Sequence, residues 1–337
     1  MKDLIRLPII ESSQVGEARR LAAALGRGIG FEEVLIGKVS LVVTELATNL
    51  IKHAGGGELI LHSIGWEEGK GLEILSLDRG PGIRNPGESL RDGYSTTGSM
   101  GTGLGAVDRL SSFFDFYTLP GQGTVLFSRI WAAPPPETLP QRPLIIGAVC
   151  LPVKNEEVCG DSWGAFQTTD RVLVIVADGL GHGPEAAEAS TLAVKVFEKN
   201  TNRSPGEIIE YLHEALKGTR GAAVATAEVL PGQHSICYAG VGNISGSIIS
   251  SGTSRSLISH NGTAGLSLPR VQEFTYPWPE DGLLILHSDG LATHWALEDY
   301  PGLQTKHPCL IAGVLLRDHC RERDDVTVVV LKTNSEF

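Results

Sequence analysis

The stretch that most constrains this chain is residues 172–183, VLVIVADGLGHG. Five of its first six residues are β-branched or Leu, the mark of a buried strand. The strand ends in Asp178-Gly179, and Gly181 and Gly183 keep the next turn free of side chains. A helix is expected from about Pro184, since proline is tolerated in a first turn. One carboxylate therefore sits at the tip of an apolar strand, beside backbone that glycine lets other groups approach. Such a place suits a cation, but a single Asp binds a divalent ion poorly. Partners of the same kind exist: Asp161 in CGDSWG, Asp289 in LILHSDGL, and the pair Asp324 and Asp325 in RERDDVTVVVL. Taken singly, an Asp-Gly after a strand is ordinary turn chemistry. Four such sites at strand ends can converge on one end of a sheet or sandwich, and ligands that are all oxygen suit Mg or Mn.

The ordered motifs GDSWG, ADGLGHG, HSDG and RDDVTVVVL resemble those of the metal-dependent serine/threonine phosphatases, the PPM family. They are nearest to its bacterial branch of sporulation stage II and stressosome phosphatases. The resemblance covers about residues 143–331. It implies an α-β-β-α sandwich of two antiparallel sheets holding two Mn or Mg ions. It makes Asp178 the ligand shared by both metals, with Gly179 adding a backbone carbonyl. Asp289 and Asp324 complete one metal, and Asp161 serves the other. Many members place a His directly after the Asp-Gly as a general acid. Here that position is Leu180, and His182 lies two further on. No arginine is identifiable in the sequence as the one that often holds substrate phosphate.

The chain of 337 residues is long enough for two ordinary domains, each with its own core. Its net charge of −11 is uneven. Residues 1–133 hold 13 basic and 15 acidic side chains, and the remainder 15 and 24. The acidic excess lies with the proposed metal site and argues against a nucleic-acid surface. The five cysteines form no CxxC pair, so neither a zinc ribbon nor a disulfide framework is expected. The first residues lack the apolar core of a signal peptide, and no apolar run is seen to approach the ~18 residues of a bilayer span. A cytoplasmic location without membrane attachment is the expectation.

In the first half, Ser12 or Ser13 is expected to cap a helix running to about Gly26. A longer helix begins near Phe31. Val34, Leu35, Val39, Val42, Leu46, Leu50 and His53 form its apolar stripe, His53 as a satisfied core histidine, and the glycines at 55–57 end it. Glu45 and Asn49 are four apart and so project from one face, a spacing that alone reads as a solvated pair. Strands follow at 58–66 and 72–78. After the second comes Asp78-Arg79-Gly80-Pro81-Gly82, where Asp78 can accept a hydrogen bond and Gly80 and Gly82 let backbone approach a flat ligand. A Gly- and Ser-rich stretch, residues 91–105, leads into a helix expected over 106–116, and exposed amides there can hold an anion. No GxxxxGK[ST] is present. Gly101, Gly103 and Ala106 fit GxGxxG/A, but without a preceding strand the dinucleotide reading fails.

Glu45 and Asn49, then Asp78-x-Gly80-x-Gly82, then GTGLG, resemble the GHKL (Bergerat) ATP-binding fold, nearest to the anti-sigma-factor and stressosome serine kinases. The resemblance covers about residues 7–131. It implies an α/β sandwich, a mixed sheet with helices on one face, that binds ATP with Mg. Asn49 binds the Mg, Asp78 reads the adenine amino group, and Gly101, Gly103 and Gly105 border the phosphates. Glu45 is the general base towards a protein serine.

Residues 132–143, AAPPPETLPQRP, carry five prolines in twelve residues and read as a semi-rigid linker. The expected organisation is α+β: a kinase-like domain at 1–132, a linker at 133–143 and a phosphatase domain at 144–332. The two resemblances together imply a bifunctional regulator. Its partner would be a STAS-domain anti-anti-sigma or stressosome protein, with a sigma factor as a further one. The alternative is a non-catalytic ATP-binding module that sequesters or senses, fused to an active phosphatase. The general base and Mg ligand that the resemblance assigns to Glu45 and Asn49 favour catalysis.

Overall fold

The computed structural model describes residues 4–66, 69–85, 87, 103–133, 142–268 and 270–334. Gly101 and most of the proline-rich segment lie outside the described residues. The chain divides into two units, residues 1–139 and 140–337.

In the first unit, strand β1 (Leu4–Ile9) leads through Glu11 into helix α1 (Ser12–Gly28). The expected serine cap is corrected: Glu11 is the capping residue, and its N–H donates to Gln14 Oε1 at 3.0 Å. Gln14 folds back on the chain start, so both serines fall in the first turn. Helix α2 (Glu33–Asn49) continues as one π turn, Leu50–Ala54, and stops at Gly55. Gly55 has φ 74°, a left-handed conformation that glycine adopts without strain. Val39, Val42, Leu46 and Leu50 are buried as expected. Val34 is 73% exposed in the first turn, and His53 is exposed, so neither belongs to the stripe. The wider π turn rotates His53 off it. The 22-residue run Glu33–Ala54 contains an 18-residue window of mean hydropathy 1.6, long and apolar enough to cross a bilayer by length and composition, contrary to expectation. In the fold its apolar face packs into the domain core with α1 and the sheet.

That sheet adds β2 (Gly57–Trp66), β3 (Gly69–Leu77), β4 (Phe113–Leu119) and β5 (Gly123–Trp131) in the order β1-β2-β3-β5-β4. Every neighbouring pair is antiparallel, so the expected mixed sheet is corrected. The tight β2–β3 and β4–β5 connections leave no room for a parallel crossover. Leu59, Leu61, Leu72, Ile74, Leu126 and Ile130 meet the helices on one face. Helix α3 (Gly103–Leu110) is shorter than expected, because Phe113 to Phe116 belong to β4. Ser111 Oγ bonds back to Val107 O at 2.7 Å, and Ser112 N already donates to Arg129 O of β5 at 2.8 Å. Aromatic residues then fit the pleated surface better than a helix.

The second unit starts with β6 (Leu144–Leu151), β7 (Asp161–Gln167) and β8 (Val172–Gly179). Helices α4 (Pro184–Lys199) and α5 (Pro205–Leu216) follow, then β9 (Ala222–Leu230), β10 (Ser235–Val241), β11 (Ser245–Ser250) and β12 (Thr253–Ser256). The unit closes with β13 (Phe274–Pro277), β14 (Leu283–His287), helix α6 (Pro308–His319) and β15 (Val326–Thr333). Two five-stranded antiparallel sheets result, β13-β10-β9-β8-β7 and β12-β11-β14-β15-β6. Alternation along β8 shows the layering. Val172, Val174 and Val176 join Leu284, Leu286, Val329 and Leu331 between the sheets. Leu173, Ile175 and Ala177 face the other way, against Ala189, Ala193, Phe197 and Leu212 of α4 and α5. Helix α6 packs on β6 and β15 of the second sheet, where a Cβ at Gly147 would stand 2.3 Å from Cys309 N. The layers are helix, sheet, sheet, helix.

Candidate functional site

In the second unit the acidic residues come from strand ends of both sheets. Asp161 opens β7 and stands directly opposite Asp178 near the end of β8 in the antiparallel register. Asp289 follows β14, and Asp324 and Asp325 precede β15. A single hydroxyl joins the sheets: Ser288 Oγ donates to Asp161 Oδ2 at 2.6 Å and accepts from Thr327 N at 2.9 Å. Asp161 Oδ1 is buried without a hydrogen-bond partner. Asp289 Oδ2 accepts from Asn243 Nδ2 at 2.8 Å. Asp325 is 2% exposed and accepts from Val153 N at 2.8 Å, whereas Asp324 is more open.

Gathering these groups is electrostatically costly. Burial, and then repulsion from Asp161, Asp289, Asp324 and Asp325, pushes the Asp178 carboxyl up to about 9. Burial lifts Asp161 to about 7 against the pull of its Ser288 hydrogen bond. Asp324 and Asp325 are raised too, first by burial. Among the described residues, no group of three or more His, Cys, Asp or Glu side chains is arranged so that it could hold a metal ion as it stands. The donor set is nonetheless all oxygen, two buried carboxylate oxygens, Asp161 Oδ1 and Asp325 Oδ2, lack a hydrogen-bond partner, and the carboxylates repel one another. Those features fit a hard divalent cation.

The turn after β8 has its own polar rim. His182 Nδ1 lies 2.8 Å from Glu156 Oε1. Gly181 and Gly183 both have positive φ, and a Cβ at Gly183 would stand 3.3 Å from Glu156 Oε2. The guanidinium of Arg220 flanks Gly181 and pairs with Glu185 at the start of α4. Sequence reasoning missed Ser288, Asn243, Glu156 and Arg220. Their positions depend on contacts between distant segments.

In the first unit, Glu45 and Asn49 lie one turn apart on α2 and both are half-buried rather than solvated. Asp78 follows β3 and is 9% exposed; its Oδ1 accepts from Gly80 N at 2.8 Å and Thr124 N at 3.1 Å. A Cβ at Gly80 would stand 2.7 Å from Ala54 Cα, so the Asp78 turn lies against the end of the helical run that carries Asn49. A Cβ at Gly82 would stand 2.4 Å from Leu119 O. The close approaches these two glycines permit are thus to the protein's own chain. Gly103 and Gly105 sit in the first turn of α3 rather than in a loop. No Cβ contact would arise at Gly103, and Gly105 is buried.

Comparison with known proteins matches residues 10–129 to the histidine kinase-like ATPase domain and residues 168–334 to stage II sporulation protein E (SpoIIE). The serine/threonine-protein kinase RsbT of Bacillus subtilis (strain 168) is 31% identical over 131 residues, which are 39% of this chain and 98% of RsbT. The phosphoserine phosphatase RsbX of the same organism is 28% identical over 139 residues, 41% of this chain and 70% of RsbX. A structure solved in work on the bacterial stressosome as a modular system adapted to control secondary messenger signalling superposes with a TM-score of 0.53 at 28% identity, covering 56% of this chain and 99% of that one. RsbX crystallised with magnesium superposes at 0.50 and 23% identity over 58% of this chain and 98% of that one, which speaks for the fold.

Proposed function

The chain belongs through residues 10–129 to the histidine kinase-like ATPase family of RsbT and through residues 168–334 to the SpoIIE phosphatase family, and from that premise we propose a two-way regulator of sigma-factor signalling. It phosphorylates, and also dephosphorylates, a serine or threonine of a STAS-domain anti-anti-sigma or stressosome protein in the cytoplasm. The observation that carries the reading is the Asp161–Asp178 pair, opposite each other across two strands, with a buried oxygen left unpaired.

Asp178, Asp161, Asp289, Asp324 and the carbonyl of Gly179 would hold two Mn or Mg ions. When bound there, the ions lower the pKa of water and neutralise charge on a phosphoryl group. Ser288 fixes Asp161, and Asn243 fixes Asp289, so neither carboxylate has to be ordered when it takes up its load. His182, oriented by Glu156, is placed on the adjacent turn to give a proton to the leaving serine oxygen. Arg220 on the same rim is suited to orient a phosphate.

In the other unit, Asp78, already fixed by two backbone donors, reads the adenine amino group. Asn49 takes the Mg of ATP, and Gly101, Gly103 and Gly105 border the phosphates. ATP supplies the γ-phosphoryl group and Mg screens its charge. Glu45 takes the proton of the incoming serine hydroxyl.

The test is incubation of the full chain with purified STAS-domain proteins and labelled ATP, with and without Mn. The expected result is label on one partner without Mn and its release when Mn is added. Absence of both transfers from every partner tried would overturn the reading.

A further inference from the structure

Two large apolar side chains stand out in solvent beside the acidic end of the second unit. Leu180 is 41% exposed and follows directly on Gly179, whose carbonyl is assigned above to the metals. Leu266 is 59% exposed, more than any other large apolar side chain of this unit among the described residues. Both adjoin Gly221, the residue before β9. Leu180 N donates to Gly221 O at 3.1 Å, and a Cβ on Gly221 would stand 3.1 Å from Leu266 Cγ. Arg220 precedes Gly221, and its Nη1 would lie 3.0 Å from a Cβ at Gly181. Two leucines and a guanidinium thus gather round one short segment of chain at the end of β8.

The backbone under both leucines is fixed. Leu266 sits on a turn pinned at its base. Ala222 N donates to Ala264 O at 3.0 Å, and Ala264 N donates to Ala222 O at 2.9 Å. Gly265 N donates to His213 Nδ1 of α5 at 3.0 Å, and Leu266 N closes the turn onto Thr263 O at 3.1 Å. Gly265 has φ 92°, and a Cβ there would stand 2.8 Å from Leu216 O, so the turn is seated directly on α5. Leu180 is held by its bond to Gly221. No loop has to be ordered when a ligand covers these side chains. A single exposed leucine is ordinary, but two that share a neighbour at the mouth of a reaction site have the character of a contact surface.

We propose that Leu180 and Leu266 form an apolar subsite of the phosphatase that receives an aliphatic side chain of the partner protein, close to the phosphorylated residue. The inference rests on the phosphatase reading and adds a substrate preference to it. The phosphoryl group must come to the carboxylates around Asp178, and Leu180 is at most about 7 Å from Asp178 along the chain. The near neighbours of the phosphoserine in the partner therefore lie within reach of the rim. An aliphatic side chain laid on the leucines takes apolar surface of both out of water. A polar side chain of the same size loses its own hydration there and finds no partner on the leucines. Arg220 does not reverse the preference towards acidic residues, because Glu185 already pairs with it.

The experiment uses short phosphoserine peptides in an alanine background, with a single leucine walked through the positions flanking the phosphoserine. Asparagine, which is polar and of similar shape, and aspartate serve as controls. Hydrolysis of p-nitrophenyl phosphate, which has no flanking residue, reports the reaction alone. At one position leucine should raise kcat/KM about fivefold over asparagine. In Leu180→Ser and in Leu266→Ser that ratio should fall, and in the double variant it should approach one, while turnover of p-nitrophenyl phosphate with Mn stays at the wild-type level. Both side chains are exposed, so the substitutions leave the core packed. If the wild type hydrolyses p-nitrophenyl phosphate but favours leucine at no position, or if the double variant keeps the preference, the proposal is overturned and the phosphatase reading stands. A double variant that loses p-nitrophenyl phosphate and peptide turnover alike also overturns it, since the leucines would then be structural. A wild type inactive with Mn on p-nitrophenyl phosphate and on every peptide overturns both.

Discussion

The hydroxyl of Ser288 donates to Asp161 Oδ2 across 2.6 Å and at the same time receives the amide hydrogen of Thr327 at 2.9 Å. Asp161 opens β7 in one sheet and Thr327 lies in β15 of the other, so this side chain ties the two sheets together at the acidic end of the sandwich. Closure of the core and geometry of the site are therefore coupled. Ser288→Ala should lower both. It strands a charged acceptor and a buried amide, worth about 1–3 kcal/mol in unfolding free energy. Phosphatase activity should fall while nucleotide binding holds. Denaturant melts and Mn-dependent turnover check this, and a variant with unchanged stability would show that water replaces the hydroxyl.

Asp178→Asn should abolish Mn-dependent phosphatase activity and leave ATP binding intact, because the proposed shared metal ligand lies in one unit and the proposed ATP site in the other. Asp289→Asn and Asp324→Asn should behave in the same way. Asp325→Asn should differ: its carboxylate is buried and holds Val153 N, so its loss should appear first as reduced stability. If Asp325→Asn kills activity in a fully stable protein while Asp324→Asn does not, the metal register at this pair is off by one.

Stability should depend on pH and metal together. The folded-state carboxyls of Asp178 and Asp161 lie near about 9 and about 7, above the ~3.9 of an unfolded chain. A raised acid favours folding fully below ~4 and loses that contribution as pH rises through its folded value. Without divalent ions, stability should decline from mildly acidic pH towards pH 9. Mn should restore more of it at the alkaline end, where the ligands are already deprotonated. Thermal melts with Mn and with a chelator, from pH 5 to pH 9, provide the check. Parallel curves would mean that these carboxyls do not bind the ion.

Much of this was legible in the sequence because it is local. The unbroken apolar run 172–177 read as a buried strand, which the fold buries on both faces, and the Asp-Gly steps marked strand tips. The two resemblances carried the layering and both families. What escaped the reading is non-local. Ser288 and Asp161 are 127 residues apart, and Asn243 meets Asp289 only once β11 pairs with β14. The strand at Phe113 to Phe116 was hidden because the helix pattern before it runs on smoothly until Ser111 and Ser112 turn their bonds elsewhere. The antiparallel first sheet follows from its two tight hairpins, and the resemblance to a mixed sheet hid that arithmetic.

In the first unit, Glu45→Ala should bind ATP normally and lose phosphoryl transfer, since the proposed base acts on the incoming serine rather than on the nucleotide. Asn49→Ala should weaken binding of Mg-ATP itself. Calorimetry and transfer of label to a partner protein separate the two. Normal binding by both variants together with unchanged transfer would point to a module that senses or sequesters.

On the proposed reading two opposed chemistries share one chain. Fusion fixes their ratio at one to one. A covalent linker joins them, so a partner bound to one unit would meet the other at raised effective concentration. Both units should therefore act on the same serine or threonine of one partner. The phosphorylated fraction then becomes a steady state set by ATP, divalent metal and whatever signal biases one unit, and the wild-type protein should consume ATP continuously while the partner is present. Asp178→Asn should drive the partner to full phosphorylation, and Glu45→Ala should leave it unmodified. Mass spectrometry of partner treated with each variant maps the sites. If Asp178→Asn phosphorylates one residue while Glu45→Ala removes phosphate only from another residue or another protein, the units serve separate branches and the shared-substrate idea is wrong. If they coincide, ATP turnover should rise with partner concentration in the wild type and, in Asp178→Asn, stop after one phosphate per partner.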